Sequence, residues 1–335
     1  MRDRSVIVTQ VKIAITGSIA TDHLMTFRGR FAESLVVEQL DKISLSFLAE
    51  DLEIRRGGVA ANISFGMANL GLRPVLVGAV GEDFADYRSW LERHGVDCES
   101  IHVSETKHTA RFVCTNDDDQ AQIATFYAGA MGEAREIELA PIATRVGGLD
   151  HVLIGANDPE AMRRHTAECR SRKIPFIADP SQQLAFANGA FIRDLIEGAD
   201  WLFTNEYEAH LTEQKTGWSG EEILQKVGTR VVTKGKDGAV LLRQGQDPIE
   251  VPALTVTAVE ATGVGDAFRA GFLSGLAWGL EPQLCAEVGS TLAAYVIETV
   301  GPQEYHFTAD HFLTRLEDTY GAVAATAVRP FLIPS

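Results

Sequence analysis

His151-Val152-Leu153-Ile154, the turn Gly155-Ala156-Asn157-Asp158, the run Pro159 to Arg172, and then Pro175-Phe176-Ile177-Ala178 decide the fold class. Three apolar residues after His151 form a short buried strand, Pro159 opens a helix of about four turns, and a second apolar run follows. Strand, helix and strand in that order make a βαβ unit, whose two strands lie parallel. The same rhythm continues through Phe191–Glu197, Trp201–Thr204, Arg230–Thr233, Ala239–Leu242, Ala267–Trp278 and Leu284–Thr299. It also extends upstream. Val11–Thr16 reads as a strand, and Val59–Leu70 as a helix with Ala60, Ile63, Met67 and Leu70 on one face, stopped by Gly71. Pro74–Val80 reads as a buried strand, and a further helix surrounds Trp90 and Leu91. The fold class is therefore α/β, with a mainly parallel sheet flanked by helices.

Two segments break the rhythm. Residues 24–56 have strand-like runs at Val36-Val37 and Ile43–Leu48, and residues 105–128 place Arg111–Thr115 and Gln122–Tyr127 around the acidic turn Asp117-Asp118-Asp119. Both read as parts of a small β-sheet lid outside the main sheet. The core is then expected at 11–23, 57–104 and 129–328, with terminal extensions at 1–10 and 329–335. The residues from about Val328 read as a frayed tail.

The chain has 335 residues, enough for about two domains or one with an insertion. Hydrophobic residues at 45% and charged residues at 23% exclude a disordered chain. The charge, 30 − 46 = −16, opposes binding to nucleic acid or to an anionic membrane, but leaves room for a small anion held by local amides. No apolar run approaches the roughly 20 residues that span a bilayer, and Met1–Gln10 is too polar for a signal peptide. Cys98, Cys114, Cys169 and Cys285 are widely spaced and form no CxxC pair, so buried free thiols and a cytoplasmic location are expected.

Four local signals carry chemistry. In Glu260-Ala261-Thr262-Gly263-Val264-Gly265-Asp266-Ala267-Phe268, two glycines precede a helix. The amides of Gly263, Val264 and Gly265 would sit at its N-terminus, as a simple cap or as an anion site beside Asp266. Walker, dinucleotide-loop, HExxH and GxSxG patterns are absent. Gly57-Gly58 followed by Asn62 allows close backbone approach to a ligand, and also suits an ordinary helix start. Asn205 and Glu208, three apart after a strand, fit either a helix start or a carboxylate acting on Mg²⁺ through water. Asp22, past the first strand, is either a turn residue or an acceptor for the two hydroxyls of a vicinal diol.

In this order the signals resemble the ribokinase (PfkB) family of carbohydrate and nucleoside kinases, over about Val11 to Thr326. The signature stretches are Gly57-Gly58…Asn62…Leu70-Gly71 and Thr262-Gly263-Val264-Gly265-Asp266. Gly17–Leu24, Gly155–Pro159, Asp179–Leu184 and Gly263–Phe272 make the chain most similar, within the family, to actinobacterial adenosine kinase. The resemblance implies a ribokinase-like core with a lid, and ATP-dependent phosphorylation of the 5′-hydroxyl of adenosine to AMP.

It also implies site residues. Asp266 is the general base, with Gly263, Val264 and Gly265 as the anion hole. Asp22, Gly58 and Asn62 hold the ribose, Ser18, Gln182 and Gln183 contact the nucleoside, and Phe112 and Phe126 stack on the base. Asn205, Thr233, Gly235 and Gly238 belong to the ATP site, and Glu208 to Mg²⁺. Glu260-Ala261 replaces the family's usual Asp-Thr, which argues against a bound K⁺. Phe186 stands where relatives carry Arg, and Arg269 is one candidate to replace that charge. The other readings are a kinase of free ribose or fructose, a kinase of another nucleoside such as guanosine, and a non-catalytic nucleoside-binding protein. A homodimer joined through the lids would cover their strand edges.

Overall fold

A computed structural model describes residues 11–34 and 46–332. Its strands are β1 (Ile13–Thr16), β2 (Ala20–Phe27), β3 (Ala49–Gly57), β4 (Val75–Val77), β5 (Ala79–Gly81), β6 (His102–Ser104) and β7 (Ala110–Asn116). They continue with β8 (Gln122–Tyr127), β9 (His151–Ile154), β10 (Phe176–Ala178), β11 (Trp201–Asn205), β12 (Thr229–Thr233), β13 (Ala239–Leu242) and β14 (Ile249–Val251). Eight form the main sheet in the order β14-β13-β12-β11-β10-β9-β1-β4. It is parallel from β12 to β4, and the β12–β13 and β13–β14 pairs are antiparallel.

Alternation along the strands gives the sheet two buried faces. Ile13, Ile15, Leu153 and Ile177 pack toward Ile63, Phe272 and Val288 on one side. Ala14, Val152, Ile154 and Phe176 pack toward Met162, Cys169 and Ile192 on the other. The helix expected at Pro159–Arg172 occupies those residues: Asp158 caps it by accepting from Ala161 N at 3.1 Å, and Pro159 fills its first turn. All four cysteines are buried and free.

The second sheet has the order β3-β2-β7-β8. It begins at Ala20 rather than Leu24, so Asp22 lies inside a strand of this sheet and not in a turn of the core. β2 leaves the core after only three residues of turn, because its neighbours β3 and β7 supply the pairing that the main sheet does not. Val36-Val37 lies outside the described residues; of Ile43–Leu48, Ser46–Leu48 is irregular and the strand starts at Ala49.

Pro74–Val80, read as one strand, is split. β4 joins the main sheet, Gly78 turns the chain, and β5 pairs with β6. The end of the chain is helical over Ala322–Leu332 rather than frayed from Val328, since Val328 is fully buried and anchors a helix that tolerates Pro330 in its last turn. No described helix is long and apolar enough to cross a membrane.

Helices Val264–Ala277 and Pro282–Ile297 touch backbone to backbone: a Cβ on Gly271 would lie 2.7 Å from Gly289 Cα, and one on Gly289 2.6 Å from Phe268 O. Helix Val59–Asn69 also packs on Val264–Ala277: a Cβ on Gly66 would lie 2.6 Å from Ala270 Cβ. Two signature motifs, about 200 residues apart in sequence, thereby share one helix interface.

Candidate active site

The parallel strands point their C-terminal ends the same way, toward the place where ligands of such sheets bind. β1 runs into Gly17-Ser18, β10 into Asp179, and β11 ends at Asn205, and the Arg269–Asp179 ion pair ties the Val264–Ala277 helix to them. Ser18 Oγ accepts from Val59 N at 3.0 Å and so caps the helix carrying Asn62. Gly58 precedes that helix at φ 95°, with the position of a Cβ 2.6 Å from Ser18 O; only glycine fits there.

Asn62 Nδ2 donates to Asp266 Oδ2 at 2.9 Å. Asp266 is enclosed by protein yet partly accessible, and its carboxyl is pushed up to about 7 by burial. Asn62 and Arg269 oppose that shift, and Asp179 and Glu208 add to it. Near neutrality such a carboxylate can take a proton from a hydroxyl. The helix behind it begins at Val264, earlier than Ala267, so Asp266 lies in its first turn. Gly263 is the left-handed N-cap, with no side-chain cap on the helix. Its N-terminal amides are thus left without a side-chain cap. The Val264 N–H has a long bond of 3.3 Å to Ala261 O.

Arg269 does not serve as the free cation that Phe186 fails to provide. Its guanidinium is buried and binds Asp179 in a fork, through Nη2–Oδ1 at 2.7 Å and Nε–Oδ2, and Nη1 donates to Gly265 O at 3.0 Å. It is paired with an anion of the protein and braces the Gly265 turn instead. Phe186 is 87% exposed.

Asn205 and Glu208 form a capping box: Asn205 Oδ1 accepts from Glu208 N, and Glu208 Oε2 from Asn205 N, both at 2.8 Å. The box orients Glu208, whose carboxyl is raised by burial and by nearby Asp179. Thr233 lies beside Asn205 in the β11–β12 register. Gly235 and Gly238 shape the next turn, where a Cβ on Gly238 would collide with Val251 O. Gln183 Nε2 donates to Asn157 O at 2.9 Å, and Gln182 is exposed at the start of that short helix.

One rung of the second sheet lines up Arg55 on β3, Asp22 on β2, Phe112 on β7 and Phe126 on β8, each directly opposite the next. Residues so paired project from one face. A carboxylate, two aromatic rings and a guanidinium are thus arrayed side by side. Burial raises the Asp22 carboxyl, with Arg55 opposing and Glu260 adding to the shift. Arg55 Nη1 reaches Glu260 at 2.8 and 3.0 Å, and Gly301 N donates to the same carboxylate at 3.3 Å. The second sheet is therefore tied by an ion pair to the loop that precedes the Val264–Ala277 helix. Among the described residues no group of three or more His, Cys, Asp and Glu could cage a metal.

The family model for pfkB family carbohydrate kinases matches residues 19–308. The chain belongs to that family. A nucleoside kinase of Methanocaldococcus jannaschii is 27% identical over 309 residues, 91% of this chain and 97% of that protein. A solved nucleoside kinase of Burkholderia thailandensis in complex with inosine is 32% identical with a TM-score of 0.80, over 92% of this chain and 98% of that one. The same protein in complex with ADP-inosine superposes with a TM-score of 0.78 at 33% identity. The kinase is thus a ribokinase-like α/β protein, and its class of chemistry is phosphoryl transfer to an alcohol.

Several residues of this kinase's site were not assigned a role by sequence reasoning. Arg55 sits next to the Gly57-Gly58 motif, and its charge was the available signal. Asp179 closes a strand of the main sheet, the position where such folds keep functional residues. Gln303, Tyr87 and Trp90 carry no local pattern at all, yet they meet behind Asn62.

Proposed function

We propose that this kinase transfers the γ-phosphoryl group of ATP to the 5′-hydroxyl of a purine nucleoside, adenosine first, giving AMP and ADP. The observation that carries the reading is the rung joining Asp22 to Phe112 and Phe126, on a sheet tied to the Asp266 loop by Arg55 and Glu260. A carboxylate beside two aromatic side chains suits a ribose with a flat base attached, whereas a free sugar has no use for the rings. The inosine bound by the Burkholderia kinase supports a purine nucleoside.

In the reaction, the Asp266 carboxylate accepts the 5′-hydroxyl proton as the oxygen bonds to the γ-phosphorus. The bond from that phosphorus to the β,γ-bridging oxygen breaks, and ADP leaves. Gly263, Val264 and Gly265 turn their amides toward the charge on the transferring oxygens. Asp22, Gly58 and Asn62 position the ribose, with Ser18, Gln182 and Gln183 around the nucleoside. Asn205, Thr233, Gly235 and Gly238 line the nucleotide side. A Mg²⁺ that keeps phosphate and water ligands fits a single nearby carboxylate, Glu208, and would supply charge neutralisation there. Glu260 is already engaged by Arg55, so no K⁺ role is assigned to it. Closure of the second sheet would exclude water that otherwise hydrolyses ATP.

The face opposite Asp22 exposes Leu52 and Ile54, each 58% exposed, together with Ile123. A second copy of the chain is the proposed cover, and light scattering showing a monomer at working concentration would remove it. The functional test incubates the protein with ATP, Mg²⁺ and, separately, adenosine, inosine, guanosine, ribose and fructose, measuring ADP and phosphorylated product. AMP formed fastest from adenosine is expected. Product from a free sugar alone would discard the base site, and nucleoside retained without product would make the protein a binder.

A further inference from the structure

Behind Asn62 a chain of amides runs back to Trp90, and its polarity is set from that end. An indole N–H only donates, so the 3.2 Å contact from Trp90 Nε1 requires the Gln303 oxygen, Oε1, to face it. The amide nitrogen of Gln303 then faces Tyr87 Oη at 2.5 Å and Asn62 Oδ1 at 2.9 Å. Tyr87 is free to accept there because its own O–H donates to Gly57 O at 3.0 Å. Burial pushes the phenol far up, which keeps that proton in place. With Asn62 Oδ1 occupied, Nδ2 is the end left for Asp266. Gln303, Tyr87 and Asn62 are all buried, so bulk water does not compete for these bonds.

We infer that Gln303 is a positioning residue, which holds the Asn62 amide in the one of its two orientations that donates to Asp266. Turned over, Asn62 would present an oxygen to that carboxyl and favour its protonated form, useless as a base. This rests on the reading of Asp266 as the base. The other charged groups that act on Asp266 are Arg269 on its own helix, Asp179 after β10 and Glu208 on the helix after β11. None of them touches Gln303. Tyr87 also ties the arrangement to Gly57, the residue where β3 hands over to the Asn62 helix.

The test is the titration of Asp266, followed by its ¹³C carboxyl resonance in the full-length protein, alongside the pH profile of kcat/KM. In Gln303→Glu one carboxylate oxygen keeps the indole, and the other, facing Tyr87 Oη and Asn62, can only accept, from the Tyr87 O–H and from Asn62 Nδ2, which turns the amide over. The Asp266 midpoint is expected to rise by at least one pH unit. The acid limb of kcat/KM should follow it, with ATP affinity unchanged. In an Asn62→Ala background the same change should move the midpoint by less than a third as much, which separates orientation from the added charge.

Trp90→Phe, which adds no charge and keeps Gln303, should move the midpoint the same way by a smaller amount. It also serves if Gln303→Glu does not fold. An unmoved midpoint in these variants, or an equal shift with and without Asn62, overturns the inference. The titration reads the amide orientation whether or not Asp266 is the base. Turnover surviving in Asp266→Asn would strike the base assignment instead.

Discussion

Strand β9 of the main sheet buries Val152, Leu153 and Ile154 and leaves only His151 partly open, whereas all six residues of β8 in the second sheet are exposed. The two sheets lie in one chain and do different work. The main sheet is buried on both faces, so its candidate site residues sit at the strand ends or just past them, at Ser18, Asp179, Asn205 and Glu208. The second sheet has an open face and presents its polar and aromatic groups along one rung. In this reading the main sheet carries phosphoryl transfer and the second sheet chooses the acceptor. Each can be broken separately.

The largest effect expected is in Asp266→Asn, which keeps the shape and removes the proton acceptor. Turnover should fall by about a hundredfold or more, the usual range for a general base, while equilibrium binding of ATP persists. More than a tenth of the parent activity would refute the role. Asp179→Ala comes next. It strands the buried Arg269 guanidinium, and loss of one partner of a buried pair costs about 3–5 kcal/mol. Denaturant melts should show this as a lower midpoint, with the Gly265 turn loosened at the same time.

The pH profile follows. Since the Asp266 carboxyl is raised to about 7 and its charged form is needed, kcat/KM should fall tenfold per unit below that value and level off above it. A flat profile from pH 5 to 8 would contradict this. The smallest change is expected for Phe126→Ala on the second sheet. Loss of base stacking, about 1–3 kcal/mol, should raise the KM for adenosine several-fold or more and leave any turnover of ribose untouched. An equal loss for both acceptors would make Phe126 a packing residue and blur the division between the sheets.

Local pattern was enough for much of the main sheet. Pro159–Arg172 was found to the residue because its cap, its first-turn proline and its apolar spacing all lie within the segment. Asp266, Asn62 and Glu208 were also legible as candidates, since each belongs to a short glycine or capping pattern. Legibility failed where the chain changes sheet. Pro74–Val80 is uniformly apolar and reads as one strand, yet Gly78 divides it between two sheets, and apolarity does not say which edge a strand joins. Asp22 was placed in the core segment, before the second sheet, for the same reason: its strand is defined by β3 and β7, far away in sequence. Arg269 looked like an available cation until folding set it against Asp179, 90 residues away.

By itself, then, the amino-acid order determined the alternation of strands and helices, the absence of a long apolar span, and the glycine turns where an anion can be held. These follow from backbone sterics, hydrophobic period and local capping, which act over a few residues. Only the tertiary structure decided which end of the Asn62 amide faces Asp266, because that orientation descends from Trp90 through Gln303, 241 residues from Asn62. A hydrogen bond depends on the position of both partners in space, and a one-dimensional pattern records neither.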